Sequence, residues 1–291
     1  KMNKLALGTV QFGLDYGVAN ISGKINTSEA KNILEFAKKS KIDLIDTAID
    51  YGDSEKVIGK SSIYNFKIVT KLPPFPKHLS NIESWVEKNV QSSLKRLGVK
   101  FLYGLLFHRS KDLKGDQGKK LFNALRRIKC RGLIKKIGIS IYDPKELDEL
   151  MKLTKLDIIQ APLNLIDRRL ETSGWLSKLH KSGVEIHTRS TFLQGLLLMP
   201  RKKIPNKFDK WNLIWDRWHS ELSNSKLDAQ EACLSYPLSL SEINNVIVGV
   251  DNINQLKKLV GITNSKTLKK DWSFMISEDR MLIDPTNWDK F

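Results

Sequence analysis

Short apolar runs alternate along the chain with segments whose apolar residues recur at helical spacing. The runs are about five residues long and nearly all apolar, which is typical of strands buried on both faces of a parallel sheet. After Asn26, alanine, isoleucine and leucine return every three or four residues, which predicts an amphipathic helix. The pattern predicts eight strands, at residues 4–8, 42–47, 67–71, 101–108, 136–141, 157–161, 184–188 and 245–250.

Helical segments fill the intervals between these strands. The first helix begins at Thr27, the second covers 54–59, and the third is ended by Gly98. The remaining five helices cover 119–130, 144–153, 170–182, 228–236 and 253–260. Right-handed crossovers between parallel strands leave two architectures, a closed (β/α)8 barrel and an open doubly wound sheet. Eight strands, and no GxGxxG turn after the first, favour the barrel. We therefore predict an α/β fold, a single TIM barrel domain spanning residues 1–291.

The longest segment without a predicted element is 199–225, which follows the seventh strand. It contains Trp211, Trp215 and Trp218. Because long loops above a barrel usually shape its pocket, we expect this insertion and the C-terminal tail to cover the active-site face and to line the pocket.

Composition narrows the class of protein. The chain has 291 residues, of which 41% are hydrophobic, and no run of about 18 apolar residues or apolar leader segment appears. Its two cysteines, Cys130 and Cys233, are far apart and lack zinc-binding spacing. These features predict a cytoplasmic protein that neither binds a metal nor associates with a membrane.

The formal net charge of +17 is the strongest compositional signal. Lysines are spread over nearly every predicted helix, in short clusters without interleaved aromatic residues. This distribution favours solvated helix faces over a nucleic-acid surface, and it is compatible with an anionic substrate. We expect no nucleic-acid partner, and the sequence leaves the oligomeric state open.

Titratable residues stand where three consecutive strands end. Asp46 closes the second strand, Tyr51 follows in its loop, Lys71 closes the third and His108 the fourth. Because the ends of barrel strands meet on one face, these four side chains should converge. Taken alone, Asp46 could instead cap a helix and Tyr51 could be a loop aromatic.

The segments DTAIDYG, VTK and LLFH that carry these residues resemble the aldo-keto reductases. So do LALGTVQFG, KKIGIS, STFLQGLL and VIVGVDNINQL, and the resemblance extends from about residue 5 to residue 260. It implies an NAD(P)H-dependent oxidoreductase that transfers hydride between a nicotinamide cofactor and an aldehyde, ketone or sugar. Tyr51 would be the general acid/base, with Lys71, Asp46 and His108 around it. NADP(H) is the favoured cofactor and NAD(H) is possible.

Physical chemistry supports those roles. A phenol has a reference pKa near 10 and needs a neighbouring cation to act near neutrality. Lys71 supplies that cation, and Asp46 keeps the ammonium charged and oriented. A neutral His108 can donate a hydrogen bond to the substrate carbonyl.

The resemblance also implies a set of cofactor-binding residues. These are Gly8, Thr9, Ser140, Gln160, Arg189, Ser190, Phe192, Leu193, Gln194, Gly195, Gly249, Val250, Asn252 and Gln255. The chain departs from the family in three ways. Ile141 stands where an asparagine is common, and Arg189 stands where an aromatic ring usually stacks. The usual cations after strand eight are absent, although Lys257 or Lys258 could reach a 2′-phosphate.

The pocket for substrate is predicted to include Phe12, Asp15, Tyr16 and Arg109. Their polar and aromatic character suits a sugar or hydroxylated carbonyl, and the chain is similar to bacterial reductases of sugar and surface-polysaccharide metabolism. A core position for Phe12 and Tyr16 is an equal alternative. A nucleotide-sensing subunit on the same scaffold, with little turnover, is the alternative function, and the charge leaves a nucleic-acid-associated protein as a third.

Overall fold

The computed structural model describes residues 3–20, 23–61, 65–76, 79, 81–264 and 270–290. Eight parallel strands pair in chain order and close into a barrel, with β1 hydrogen-bonded to both β2 and β8. The strands are β1 Leu5–Gly8, β2 Leu44–Asp46, β3 Lys67–Leu72, β4 Leu102–Phe107, β5 Ile134–Ser140, β6 Ile158–Pro162, β7 Glu185–Arg189 and β8 Asn245–Gly249. The predicted (β/α)8 barrel is thereby confirmed.

Helices follow the strands, as the alternation requires. They are α1 Thr27–Lys39, α2 Ser54–Gly59, α3 Ile82–Leu97, α4 Gly115–Cys130, α5 Leu147–Leu153, α6 Arg169–Thr172, α7 Trp175–Lys181, α8 Asn212–Ser225, α9 Ala229–Ser239, α10 Ile253–Asn264 and α11 Arg280–Ile283. The helix predicted over 170–182 is divided into α6 and α7, because Gly174 adopts a left-handed conformation with φ of +77°. In the part of the chain that the structure describes, no helix combines the length and apolarity needed to cross a membrane.

The insertion after β7 is more ordered than predicted. Short 3-10 turns lead into the fourteen-residue helix α8. Trp211, Trp215, Trp218 and Leu222 lie at positions i, i+4, i+7 and i+11, so a helical apolar stripe was present in the sequence. The prediction that this segment lacks a helix is therefore wrong for residues 212–225.

Side chains fill the barrel interior, as is usual for eight strands. Its central apolar layer consists of Ala6, Leu44, Val69, Leu106, Ile158 and Ile247. Glycines on β4 and β5 leave room for it. A Cβ on Gly138 would lie 2.4 Å from the carbonyl oxygen of Ile158, so no larger residue fits there without displacing β6.

A second apolar cluster lies outside the barrel, built from the insertion, the C-terminal tail and the loops after β6 and β7. Its buried residues are Leu165, Ile166, Leu193, Leu196, Leu197, Ile204, Phe208, Trp211, Trp215, Trp218, Ala232, Cys233, Trp272, Met275, Leu282, Ile283 and Trp288. Two half-buried aromatic residues, Phe192 and Tyr236, pack against both this cluster and the barrel core, which is the large apolar layer between the strands and the helices around them.

A polar cluster joins β4, β5 and β7 at the N-terminal end of the barrel strands. Glu185 begins β7, and its Oε1 lies 2.7 Å from Nε2 of His187. Its Oε2 accepts hydrogen bonds from the hydroxyl of Tyr103, at 2.9 Å, and from the ammonium of Lys136. Burial alone would raise the pKa of Glu185, but these partners outweigh burial and hold it at about 2.

We predict that Glu185→Gln lowers the free energy of unfolding by about 1–3 kcal/mol at pH 7, because the buried donors lose a charged acceptor. Glu149, which forms an exposed ion pair with Lys114, supplies the control, and Glu149→Gln should change stability by less than about 0.5 kcal/mol.

The pKa of Glu185 is lower in the folded state than its ordinary 4.5. Its stabilisation is therefore present above that value and is lost as the pH falls towards 2. Urea unfolding at pH 7 and pH 3.5 measures both effects. Equal stability of wild type and Glu185→Gln at pH 7 would contradict the assignment.

Candidate active site

Asp46 and Lys71 form a buried ion pair at the C-terminal ends of β2 and β3. The Lys71 Nζ donates to Asp46 Oδ2 at 2.7 Å and to the carbonyl oxygen of Thr47 at 2.9 Å. Only 1% of the Lys71 side chain is exposed. Burial lowers the pKa of Lys71, and the charge of Asp46 opposes that shift without cancelling it. This lysine therefore releases its proton more readily than one in water.

The ring of Tyr51 lies between this pair and His108. Its centroid is 5.1 Å from the Lys71 Nζ and 5.9 Å from the centroid of the His108 ring, which meets it edge to face. Burial, and then the negative charge of Asp46, raise the pKa of Tyr51 well above its ordinary value of 10.0. The phenol is therefore protonated at neutral pH and can act as a proton donor.

Close backbone packing fixes the loop that carries Tyr51. A Cβ on Gly13 would lie 1.7 Å from the Tyr51 carbonyl oxygen, and one on Gly52, where φ is +53°, would lie 2.5 Å from the Gly13 carbonyl oxygen. The loops after β1 and β2 thus approach as only glycines allow. The amide of Ile49 also donates to the Lys71 carbonyl oxygen at 3.1 Å, which ties the Tyr51 loop to β3.

His108 follows the last residue of β4 and is partly buried. Burial, and then the positive charge of Lys71, lower the pKa of His108 from 6.5 to about 4. The imidazole is therefore neutral at pH 7, with one ring nitrogen as a donor and the other as an acceptor.

A cleft of about 900 Å³ opens beside these residues and runs to the beginnings of α9 and α10. Most residues that the resemblance implies for the cofactor line it, namely Gly8, Thr9, Ser140, Gln160, Arg189, Ser190, Phe192, Gln194, Gly195, Gly249, Asn252 and Gln255. The side chains of Leu193 and Val250 do not line it. Leu193 is buried in the second apolar cluster and Val250 in the barrel core.

The four residues expected around the substrate are divided. Tyr16 lines the cleft, whereas Phe12 is fully buried in the barrel core, because a 3-10 turn at Val10–Phe12 directs it inward. Asp15 is exposed outside the cleft lining. Arg109 also lies outside that lining and forms an ion pair with Asp112 at 3.1 Å.

The expectation that the insertion and tail line the pocket is wrong for the described residues. Trp211, Trp215 and Trp218 are buried in the second apolar cluster and do not line the cleft, and neither does the described tail. The indole N–H of Trp215 donates to a carbonyl oxygen within that cluster at 3.0 Å, and that of Trp218 does so at 3.2 Å. Phe208 packs edge to face against Trp288 with ring centroids 4.9 Å apart, and Trp218 packs in the same way against Trp272 at 5.1 Å. Insertion and tail therefore stabilise each other.

Arg189 is held rigidly at the end of β7. Its guanidinium donates to the carbonyl oxygen of Ile141 at 2.9 Å and to Ser190 Oγ at 3.1 Å, and it lies 4.6 Å from the ring centroid of Tyr142. Sequence reasoning missed Tyr142, which lines the cleft two residues after the end of β5. Its position after a strand end was the available signal.

Gln160 and Ser140 form part of the Asp46 network. Gln160 Nε2 donates to Asp46 Oδ1 at 2.7 Å, and Ser140 Oγ donates to Gln160 Oε1 at 3.2 Å. Asn164 supports the turn after β6 instead, since it accepts from two backbone amides at 2.9 Å and donates to the Ser190 carbonyl oxygen at 3.0 Å.

The loop after β7 is a tight turn with an unusual backbone. Ser190, Leu193, Gln194 and Gly195 have φ between 48° and 88°, and the amides of Leu193 and Gly195 each donate to a carbonyl oxygen of the same loop at 2.9 Å. Elsewhere in the cleft lining, the buried Oε1 atoms of two glutamines have no hydrogen-bond partner among the described residues. They belong to Gln11 and Gln230. An elongated cleft bordered by a fixed loop and by unpaired amide oxygens fits a dinucleotide.

The far end of the cleft, at the beginnings of α9 and α10 and away from Tyr51, carries more negative than positive charge. Asp228, Asp251 and Lys258 all line it. The Lys258 Nζ donates to Asp228 Oδ2 at 2.9 Å, and Gln255 donates to Asp251 at 3.3 Å. Among the described lining residues at this end, Lys258 is the only cation, and a carboxylate already pairs with it.

Known proteins resemble the chain in sequence and in fold. The model of the Aldo/keto reductase family matches residues 4–276. The Bacillus subtilis oxidoreductase YqkF is 25% identical, over 93% of this chain and 94% of its own. The NADH-specific methylglyoxal reductase of Escherichia coli is 24% identical, over 94% of each chain. The holo form of the Bacillus halodurans aldo-keto reductase AKR11C1 superposes with a TM-score of 0.75 at 20% identity, covering 96% of this chain and 95% of that one.

We predict that His108 titrates with a midpoint near pH 4, well below the 6.5 of an ordinary histidine, because burial and Lys71 both lower the pKa of the imidazolium. Two-dimensional NMR of the imidazole nitrogens, assigned with His108→Asn, measures this midpoint directly. A midpoint for His108 above 6 would show that the imidazole is not held neutral.

Proposed function

The chain belongs to the aldo/keto reductase family, and on that premise we propose that Tyr51 is the proton donor of its carbonyl reduction. The chain is an oxidoreductase that interconverts carbonyl compounds and alcohols with a nicotinamide cofactor. Reduced nicotinamide supplies the hydride when it is bound. The observation that carries the proposal is the convergence of Tyr51, Lys71, Asp46 and His108 at one end of the cleft.

Each of the four residues has a distinct role in this proposal. Tyr51 gives its proton to the carbonyl oxygen as the alcohol forms. The Lys71 ammonium stabilises the resulting phenolate, and Asp46 holds that ammonium in place. Neutral His108 donates a hydrogen bond that polarises the carbonyl. In alcohol oxidation the same residues act in reverse.

We propose that the cofactor lies along the cleft with its nicotinamide beside Tyr51. Ser140 and Gln160 would bind the carboxamide, Arg189 would stack on the ring, and the loop at 190–195 would run along the pyrophosphate. Three observations support this arrangement, namely the length of the cleft, the fixed Arg189 guanidinium and the left-handed loop backbone.

The proposed substrate is a small hydroxylated carbonyl compound or sugar. Tyr16, Asp50 and Tyr142 line the cleft near Tyr51, and phenolic rings beside a carboxylate suit hydroxyl groups. The nucleotide-sensing alternative has no observation in its favour, since the acid–base residues are all present.

We further propose that residues 1–291 form one domain. The second apolar cluster shares Phe192 and Tyr236 with the barrel core, and a continuous apolar contact of this kind opposes independent unfolding.

For the cofactor we propose a preference for NAD(H) over NADP(H), against the family default. A 2′-phosphate at the far end would meet Asp251 and Asp228, and Lys258 is already paired. An unpaired phosphate forgoes charge-assisted hydrogen bonds of roughly 1.5–3 kcal/mol each. The name of the Escherichia coli relative, which is NADH-specific, agrees with this preference.

We predict that Tyr51→Phe lowers kcat at least about 100-fold, the usual scale of general acid–base catalysis, while NADH binds with nearly unchanged affinity. Tyr236→Phe removes a hydroxyl that bonds to Glu171 outside the cleft and serves as the control. Absorbance of the reduced nicotinamide follows turnover on a panel of alkyl and hydroxylated aldehydes, and calorimetry gives the affinity. Near wild-type turnover by Tyr51→Phe would exclude Tyr51 as the donor, and a preference for alkyl aldehydes would contradict the proposed substrate.

We predict that Asp228→Ala strengthens NADPH binding about tenfold and changes NADH binding little, because it frees Lys258 for the 2′-phosphate. Glu242→Ala makes the same change in net charge just before β8 begins, at the other end of the barrel, and should alter neither affinity. Isothermal calorimetry measures the affinities of the wild type and of both variants for NADH and for NADPH. Tighter binding of NADPH than of NADH by the wild type would overturn the proposed preference.

A further inference from the structure

The carboxylate of Asp46 is held from two sides of the barrel. Oδ2 accepts from Lys71 at 2.7 Å, and Oδ1 accepts from Gln160 Nε2 at 2.7 Å. Among the described residues, these are the only hydrogen bonds to that carboxylate. The proton-donor assignment uses the first bond and gives no role to the second.

Gln160 reaches Asp46 across the barrel. It lies on β6, and in a closed barrel of eight strands in chain order β6 stands opposite β2. The side chain is fully buried, and Ser140 Oγ donates to its Oε1 at 3.2 Å. A carboxylate only accepts hydrogen bonds, so the NH2 group of Gln160 must face Asp46. Both partners therefore fix the orientation of the amide.

The amide of Gln160 has capacity for a further partner. A glutamine side chain carries two N–H donors and an oxygen with two lone pairs. Asp46 takes one donor and Ser140 takes one lone pair, which leaves one of each. Gln160 also lines the cleft. It can therefore bind a carboxamide in the cleft and keep its bond to Asp46.

The hydrogen bond from Gln160 to Asp46 changes the electrostatic potential at the Lys71 ammonium. An N–H dipole directed at Oδ1 reduces the negative potential of Asp46 at the ammonium. The other charged or titratable groups facing Lys71 are Tyr51 and His108 from their loops, Tyr142 after β5 and Arg189 on β7. None of them hydrogen-bonds the Asp46 carboxylate, so none can replace Gln160.

We propose that Gln160 is a positioning residue that orients Asp46 against Lys71 and weakens the hold of Asp46 on the lysine proton. The inference rests on the proposed function of the site, since it assigns a second role to a residue expected to contact only the cofactor. Through Gln160, the carboxamide end of the cleft and the acid–base residues share one side chain.

The test compares Gln160→Met, which keeps the volume without a donor, with Gln160→Asn, which is too short to reach Asp46. Gln255→Met makes the same chemical change elsewhere in the cleft lining, away from Asp46, and is the control. The first readout is the pKa of Lys71 in the protein without cofactor, from NMR of 13Cε-labelled lysine assigned with Lys71→Met. The second is the alkaline limb of the kcat/KM profile against pH.

We expect both Gln160 variants to raise the pKa of Lys71 and the alkaline limb by about half a unit or more. Gln255→Met should move neither, although it and Gln160→Met should both bind NADH more weakly. If the Gln160 variants lose cofactor affinity while the Lys71 titration stays that of the wild type, Gln160 is a cofactor contact only and the proposal fails.

The lysine titration needs no substrate, so it decides the positioning role even if the wild type reduced no carbonyl on the panel. A wild type that reduced no carbonyl on the panel would overturn the proposed function and leave the positioning role of Gln160 standing. A thermal melt of each variant identifies any that is misfolded. Gln160→Asn retains an amide for the case in which Gln160→Met does not fold.

Discussion

The buried ion pair between Lys71 and Asp46 is the interaction on which the rest of the site depends. An ammonium that is 1% exposed is costly unless charge and hydrogen bonds replace its water. Asp46, the last residue of β2, and the carbonyl oxygen of Thr47, the residue after it, do this, and β2 pairs directly with β3. Because the pairing of neighbouring strands sets the geometry, the barrel itself holds the charge in place. A loop could not hold it as firmly.

The interior of the barrel separates two polar clusters by an apolar layer. The acid–base residues occupy the C-terminal end, and the cluster around Glu185 occupies the N-terminal end. Between them lie the six apolar side chains of the central layer. This separation allows the titratable groups at the two ends to have different charge states. Glu185 is held ionised by three donors, whereas Lys71 is destabilised as a cation and His108 is kept neutral.

Much of the fold could be predicted from the sequence because local patterns encode it. Strand ends mark Asp46, Lys71 and His108 directly. The long-range contacts could not be read in this way. The bond from Gln160 to Asp46 spans 114 positions, and it depends on β6 standing opposite β2, which periodicity does not reveal. The inward turn of Phe12 likewise follows from a single 3-10 turn that no residue pattern announces.

The loop after β1 links the proton donor to the proposed cofactor loop. At Gly13 it packs against the backbone of Tyr51, and further on Ala19 packs against Gly195, where an added Cβ would lie 2.7 Å from the alanine Cβ. One loop thus contacts both the acid–base residue and the left-handed segment after β7. A shift of this loop would move both together. Such coupling explains why glycines stand at the points of contact, since any Cβ there would separate elements that have to meet at one substrate.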